Sequence, residues 1–103
     1  MKVLWTEFAI SMLSQIHYYY KLKVDLSTAN RIKSEILSST KQLINYPFSG
    51  YEEPHLSHLG LNHRYIIQGY YKIIYLQIEN GVLITDVFDI RQNPDSMNTE
   101  RAK

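Results

Sequence analysis

The chain is 103 residues long, 45% hydrophobic and 20% charged, with a net charge of +1 and a pI near 8.0. That length supports one domain around a modest core, within the composition range of ordinary globular proteins. The lack of cysteine excludes disulfides and thiolate metal sites, and no apolar run approaches the ~20 residues of a membrane span, so a cytoplasmic protein with no membrane partner is expected.

The opening "MKVLWTEFAI" carries one lysine and no small-residue cleavage site, so no signal peptide is expected. "KVLW" (2–5) is a short β-prone run. Thr6 is placed to cap a helix with Glu7 in its first turn. Ala9, Met12, Leu13, Ile16 and Tyr20 then recur at offsets of three and four, one apolar stripe of an amphipathic helix. Tyr18, Tyr19 and His17 fall off that stripe. "KLKVDLST" (21–28) breaks the pattern, with Asp25 or Ser27 as the cap of a second helix. Its stripe is Ala29, Ile32, Ile36, Leu37, Leu43 and Ile44, and Pro47 ends it. A short link between two such helices makes an antiparallel hairpin.

Residues 46–63 hold prolines, glycines and polar residues without a steady period, and are read as a structured loop. Beyond it, "RYIIQ" (64–68), "YYKIIYLQI" and "VLITDVFDI" (82–90) are β-rich, with turn signals at Gln68-Gly69-Tyr70 and Glu79-Asn80-Gly81. They predict a three-stranded antiparallel meander. Adjacent Val87 and Phe88 break the alternation, which is consistent with a bulge or with burial on both faces. Asn93-Pro94 ends the last strand, so a domain of residues 1–94 is expected, followed by a frayed polar tail, 95–103. The order of elements predicts an α+β fold: an N-terminal strand, an antiparallel helical hairpin packed on one face of a small antiparallel sheet, and a C-terminal three-stranded meander.

Basic residues are spread thinly from Lys2 to Lys103, most with an acid nearby, which disfavours a free-standing nucleic-acid binder. Nine tyrosines are in excess, rings at home in interfaces and in strands alike. His55, His58 and His63 lack an evident fourth ligand or a regular element to orient them, so they are read as solvated loop residues and no metal is expected. No serine stands in a nucleophile elbow, and no glycine-rich phosphate loop occurs. Glu52 and Glu53 read as loop acids facing water. The outer strands of a meander run parallel, so Arg64 at the start of the first and Arg91 after the third belong at opposite ends of the sheet. Each is expected in an ordinary ion pair, Arg91 with Asp89 or Asp86 and Arg64 with a loop glutamate.

In order and with these gaps, residues 3–94 resemble toxins of the RelE/ParE superfamily from bacterial type II toxin–antitoxin (plasmid stabilization) modules. The resemblance is carried by Trp5, Ala9 and Leu13, Tyr20, Ala29 and Ile32, Pro47 and Gly50, and Pro54 and Leu56. It continues through Arg64, "YKIIY" (71–75), Val87 and "RQNP" (91–94). It implies the fold described above and makes the arginine after the last strand a recurring feature. It also implies two mechanisms. RelE-like members cleave mRNA on the ribosome with basic residues and a tyrosine or histidine. ParE-like members inhibit DNA gyrase without being nucleases. The proline–glycine loop and the "RQNP" ending look ParE-like, and after Arg64 the meander offers only Lys72 and Arg91 as cations. The expectation is therefore a gyrase-binding toxin without cofactor. Arg64, Arg91 and Gln92 are its target-binding residues, and a cognate antitoxin covers Tyr18 and Tyr19. The alternative is a ribosome-dependent mRNA endonuclease with Arg64, Tyr71, Lys72 and Arg91 as its catalytic set and Tyr70 and Tyr75 as further acid–base candidates. A degenerate, antitoxin-binding module is the third reading.

Overall fold

A computed structural model of the protein describes residues 2–97. Strand β1 (Lys2–Trp5) leads into helix α1 (Glu7–Lys23), whose cap Thr6 accepts a hydrogen bond from the Ala9 N–H at 3.0 Å. Helix α2 (Leu26–Ser39) starts at Asp25, which accepts from the Thr28 N–H at 2.7 Å. His17, placed on the surface by its pattern, is half-buried and bridges the hairpin, its Nε2 standing 2.8 Å from Asn30 Oδ1.

The second helix was expected to run to Pro47 but stops at Ser39. The Ser39 and Thr40 hydroxyls turn back onto the carbonyls of Ile36 and Leu37 at 2.6 and 2.7 Å, a local alternative to helical continuation. A one-turn helix α3 (Gln42–Asn45) follows, with Leu43 buried while Leu37 and Ile44 face water. The inward set is thus Ala29, Ile36 and Leu43, with Ile32 partly buried, and not the whole expected stripe.

Strands β2 (Tyr51–Glu52), β3 (Arg64–Gln68), β4 (Tyr71–Ile78) and β5 (Gly81–Asp89) complete a five-stranded sheet in the order β1-β5-β4-β3-β2. β2 was not expected, since two residues carry no period. The meander β3–β4–β5 is antiparallel, but β1 pairs parallel with β5, so the sheet is mixed. The helices carry the chain from one edge to the other, and the meander walks back to β1 with its last strand in the same direction.

Of the two turn signals, the first is used as expected and the second is not. Gly69, at φ 61°, opens a two-residue turn that requires a left-handed backbone. In the Asn80-Gly81 signal it is Asn80 that takes positive φ, while Gly81 already belongs to β5, packed so closely on the Lys2 backbone that a Cβ would collide.

The broken alternation in β5 has both of its candidate causes. Tyr75 pairs with Ile84 and Ile74 with Asp86, which leaves Thr85 as a bulge. The bulge switches the inward face from Val82 and Ile84 to Val87. On that face Ala9, Leu13, Ile36, Tyr71, Ile73 and Tyr75 form the main core, with Ile16 partly buried against it. On the other face Leu56, Ile74, Phe88 and Met97 form a second core under the 3₁₀ turn Pro54–Leu59. Met97 was expected in a frayed tail but is buried there after a 3₁₀ turn at Pro94–Ser96. Asn93 caps that turn by accepting from the Asp95 N–H at 3.0 Å. The rest of that tail, 98–103, lies outside the described residues.

Candidate functional site

At the C-terminal end of β5 the chain makes a tight turn. Asp89 Oδ1 accepts from both the backbone N–H and the Nε–H of Arg91 at 2.9 Å, and Oδ2 accepts from its Nη2 at 2.8 Å. The guanidinium lies over the Tyr70 ring, 4.4 Å from its centroid, a cation–π contact that backs the fork. The ion pair expected between Arg91 and Asp89 is therefore present, and Arg91 is also half exposed. Hydrogen bonding to Arg91 holds the Asp89 carboxyl below the usual range, and Asp89, then Tyr20, hold the guanidinium protonated.

Beside it the Tyr71 hydroxyl donates to the Tyr20 hydroxyl at 3.3 Å. Burial, then this bond, pushes the Tyr71 phenol well above its usual value. Between α1 and this end of the sheet lies a cleft of about 520 Å³, lined by Met12, Gln15 and Ile16 on the helix and Val87, Asp89 and Arg91 on the sheet side, with Gln92 at its mouth. Burial also raises the Tyr75 phenol. Its hydroxyl, however, serves the fold, accepting from Gly50 N–H at 3.0 Å and donating to Pro47 O at 2.8 Å.

Arg64 stands at the other end, paired with Tyr75 across β3–β4, whereas Asp89 pairs with Tyr71. It makes no expected loop-glutamate pair. Its Nη1 donates to Gly50 O at 2.8 Å and its guanidinium lies 5.6 Å from the Phe48 ring, so it ties the 47–50 turn to the sheet. Of the two loop glutamates, Glu52 stands exposed across the ladder from Arg64 and Glu53 is engaged elsewhere. Glu53, read as a solvated acid, is fully buried, with Lys72 Nζ 2.9 and 3.3 Å from its carboxylate oxygens and His55 Nδ1 at 3.3 Å. Lys72 also lies 4.3 Å from the Tyr65 ring centroid. This pair belongs to the second face, since Lys72 and Tyr71 point to opposite sides of β4.

His63 was expected in solvent but is buried, because its carbonyl accepts from the Glu53 N–H at 2.9 Å and continues the β2–β3 ladder. Among the described residues no three His, Cys, Asp or Glu side chains are placed to hold a metal ion. Of the four residues of the nuclease alternative, Tyr71 and Arg91 are brought together, Lys72 is on the other face and Arg64 at the other end. Arg91 and Gln92 share the cleft, and Arg64 does not.

Tyr18 and Tyr19 are both exposed on α1. Tyr18 faces outward with Ser11, Ser14 and Leu22, while Tyr19 reaches the rim of the Arg91 cleft and packs edge-on against Tyr20 at 5.2 Å. Sequence reasoning placed Tyr20, Met12 and Ile16 in the core stripe and so missed them beside the site. Only the packing of α1 across the end of β5 exposes one flank of that stripe to the cleft.

No family model matches the sequence, and no curated protein matches it significantly. Among solved structures, the fold is that of a chain from the chromosomal ParDE toxin–antitoxin system of P. aeruginosa. That chain is 17% identical, with a TM-score of 0.72, and the match covers 87% of this chain and 96% of that one. The two chains therefore share a fold, and the N-terminal strand, helical hairpin and C-terminal meander expected from the sequence are the ones observed. No helix among the described residues is long and apolar enough to cross a membrane.

Proposed function

We propose that this chain is a ParE-like toxin of a type II toxin–antitoxin module, acting in the cytoplasm by binding DNA gyrase and neutralised by a cognate antitoxin. One observation carries the reading. Arg64 lines a cleft of its own but is spent on Gly50 O, and Lys72 is spent on the buried Glu53, whereas Arg91 stands over Tyr70 at the α1 cleft with its carboxylate partner only two positions away. An arginine in that setting is a protein-binding anchor. Gln92 at the cleft mouth extends the contact, and Arg64 contributes by holding the 47–50 turn. The exposed rings of Tyr18 and Tyr19 are the surface offered to the antitoxin.

Ribosome-dependent mRNA cleavage is less well supported. Phosphate-transition-state charge calls for converging cations, but Lys72 is neutralised against Glu53 on the opposite face. A phenol as reluctant to ionise as Tyr71 is a poor general base. The test is to add purified protein to a gyrase supercoiling assay and to a translating extract. Inhibited supercoiling with intact mRNA is expected. Cleavage of ribosome-bound mRNA without an effect on gyrase overturns the proposal, and inactivity in both with tight antitoxin binding points to a degenerate module.

A further inference from the structure

We propose that the Arg91 fork is a receptor for a partner's carboxylate side chain, and that Asp89 is its exchangeable internal occupant. Both Arg91 and Asp89 belong to the cleft, and the carboxylate now in the fork shows the geometry the fork accepts: two parallel N–H···O bonds, at 2.9 and 2.8 Å. The bond that shapes the turn is a separate one, from the Arg91 backbone N–H to Asp89 Oδ1. Asp89 can therefore release the guanidinium and still hold the turn. The pair is exposed on the arginine side, and such pairs are weak in water, so exchange for a better-desolvated carboxylate is favourable.

Three features select the occupant. The Tyr70 ring stays under the guanidinium after Asp89 leaves, so Arg91 keeps one of its two supports. Tyr20 accepts from Tyr71 beside the guanidinium and keeps its own O–H for an incoming acceptor. The floor of the cleft is Met12, Ile16 and Val87, which suits an apolar side chain next to the acidic one. A phosphate fits less well, because one arginine with an aspartate beside it cannot neutralise a dianion. The occupant is thus an acidic residue flanked by apolar ones on a protein partner. This inference deepens the reading of Arg91 as a binding anchor and rests on that reading for its biological partner, but its test does not involve gyrase.

The experiment titrates labelled protein with acetyl-Leu-Glu-Leu-amide and with acetyl-Leu-Gln-Leu-amide, following the Arg91 Nε–H resonance. The glutamate peptide is expected to shift it and the glutamine peptide to leave it in place. Asp89→Asn keeps an acceptor for the Arg91 backbone N–H but empties the fork of charge. It should bind the glutamate peptide about two- to fivefold more tightly, the range set by an exposed ion pair. Arg91→Lys, which loses the fork, should bind it more weakly. Equal binding of the two peptides, or binding unchanged or weakened by Asp89→Asn in a protein that melts normally, overturns the inference. Peptide binding in a protein inert toward gyrase sinks the gyrase reading alone.

Discussion

Arg64 and Arg91 stand at opposite ends of one sheet, and the molecule uses them in opposite ways. Arg64 reaches inward to Gly50 O at 2.8 Å, beside the Tyr75 hydroxyl that pins the same turn, and so holds a loop in place. Arg91 reaches to its near neighbour Asp89, with Tyr20 beside it, and lies over an exposed tyrosine at an open cleft. Lys72 belongs with Arg64, since its charge compensates the buried Glu53. A cation whose partner is buried is part of the fold. One that is itself exposed and whose partner is local can be exchanged, and so it can be used.

The comparison breaks most visibly at Lys72. Lys72→Ala strands the Glu53 carboxylate in the second core and should cost about 3 kcal/mol, discounted for the partly exposed ammonium. Adding Glu53→Leu should recover most of that loss in denaturant melts. Full stability of the single variant would remove Lys72 from the structural class.

The two tyrosines on the inward face of β4 provide the next contrast. Tyr75→Phe leaves buried Gly50 N–H and Pro47 O without their partner and should cost about 1–3 kcal/mol. Tyr71→Phe should cost less than about 1 kcal/mol, because the Tyr20 hydroxyl it leaves can turn to water in the cleft. Equal losses would mean that the two ends of the sheet are equally closed.

Arg64→Ala should lower stability by about 1 kcal/mol and reduce toxicity through that loss. Arg91→Ala should lower the thermal melt only by the slight margin of an exposed ion pair and abolish supercoiling inhibition. A loss of stability as large as that of Arg64→Ala would return it to the class of Arg64.

The smallest effect is in acid. Hydrogen bonding to Arg91 depresses the Asp89 pKa in the folded state, so its contribution is present above the unfolded value of about 3.9 and fades as pH falls through the lower folded value. Wild type should therefore exceed Asp89→Asn slightly in melts near neutral pH and lose that margin as the pH falls below the unfolded value. A margin that grows on acidification would contradict the assignment.

Both helix starts, the meander and the separation of the arginines were legible, because Thr6, Asp25 and strand period two act over a few residues. The early end of α2 was not, since Ile44 and Leu43 continue a helical period that the Ser39 and Thr40 hydroxyls interrupt. Glu53 and His63 were misread as solvated for a similar reason. Their burial depends on a two-residue strand pairing with β3 and on a lysine 19 positions away. Within the site, Arg91 and Asp89 could be read from their adjacency, whereas Tyr20 could not, because its partner Tyr71 is 51 positions distant.

By itself the sequence determined the first strand, the two helix starts, the meander and their order, because capping, periodicity and turn chemistry are local and the chain carries them wherever it folds. It also determined that few cations would lie on the meander. Only the tertiary structure decided which cation is available. That choice depends on which face of β4 receives Lys72, on the bulge at Thr85 that turns Val87 inward, and on α1 lying across the end of β5 to wall a cleft beside Arg91. Each is a contact between distant segments, whose energy comes from burial and charge compensation that no local pattern encodes.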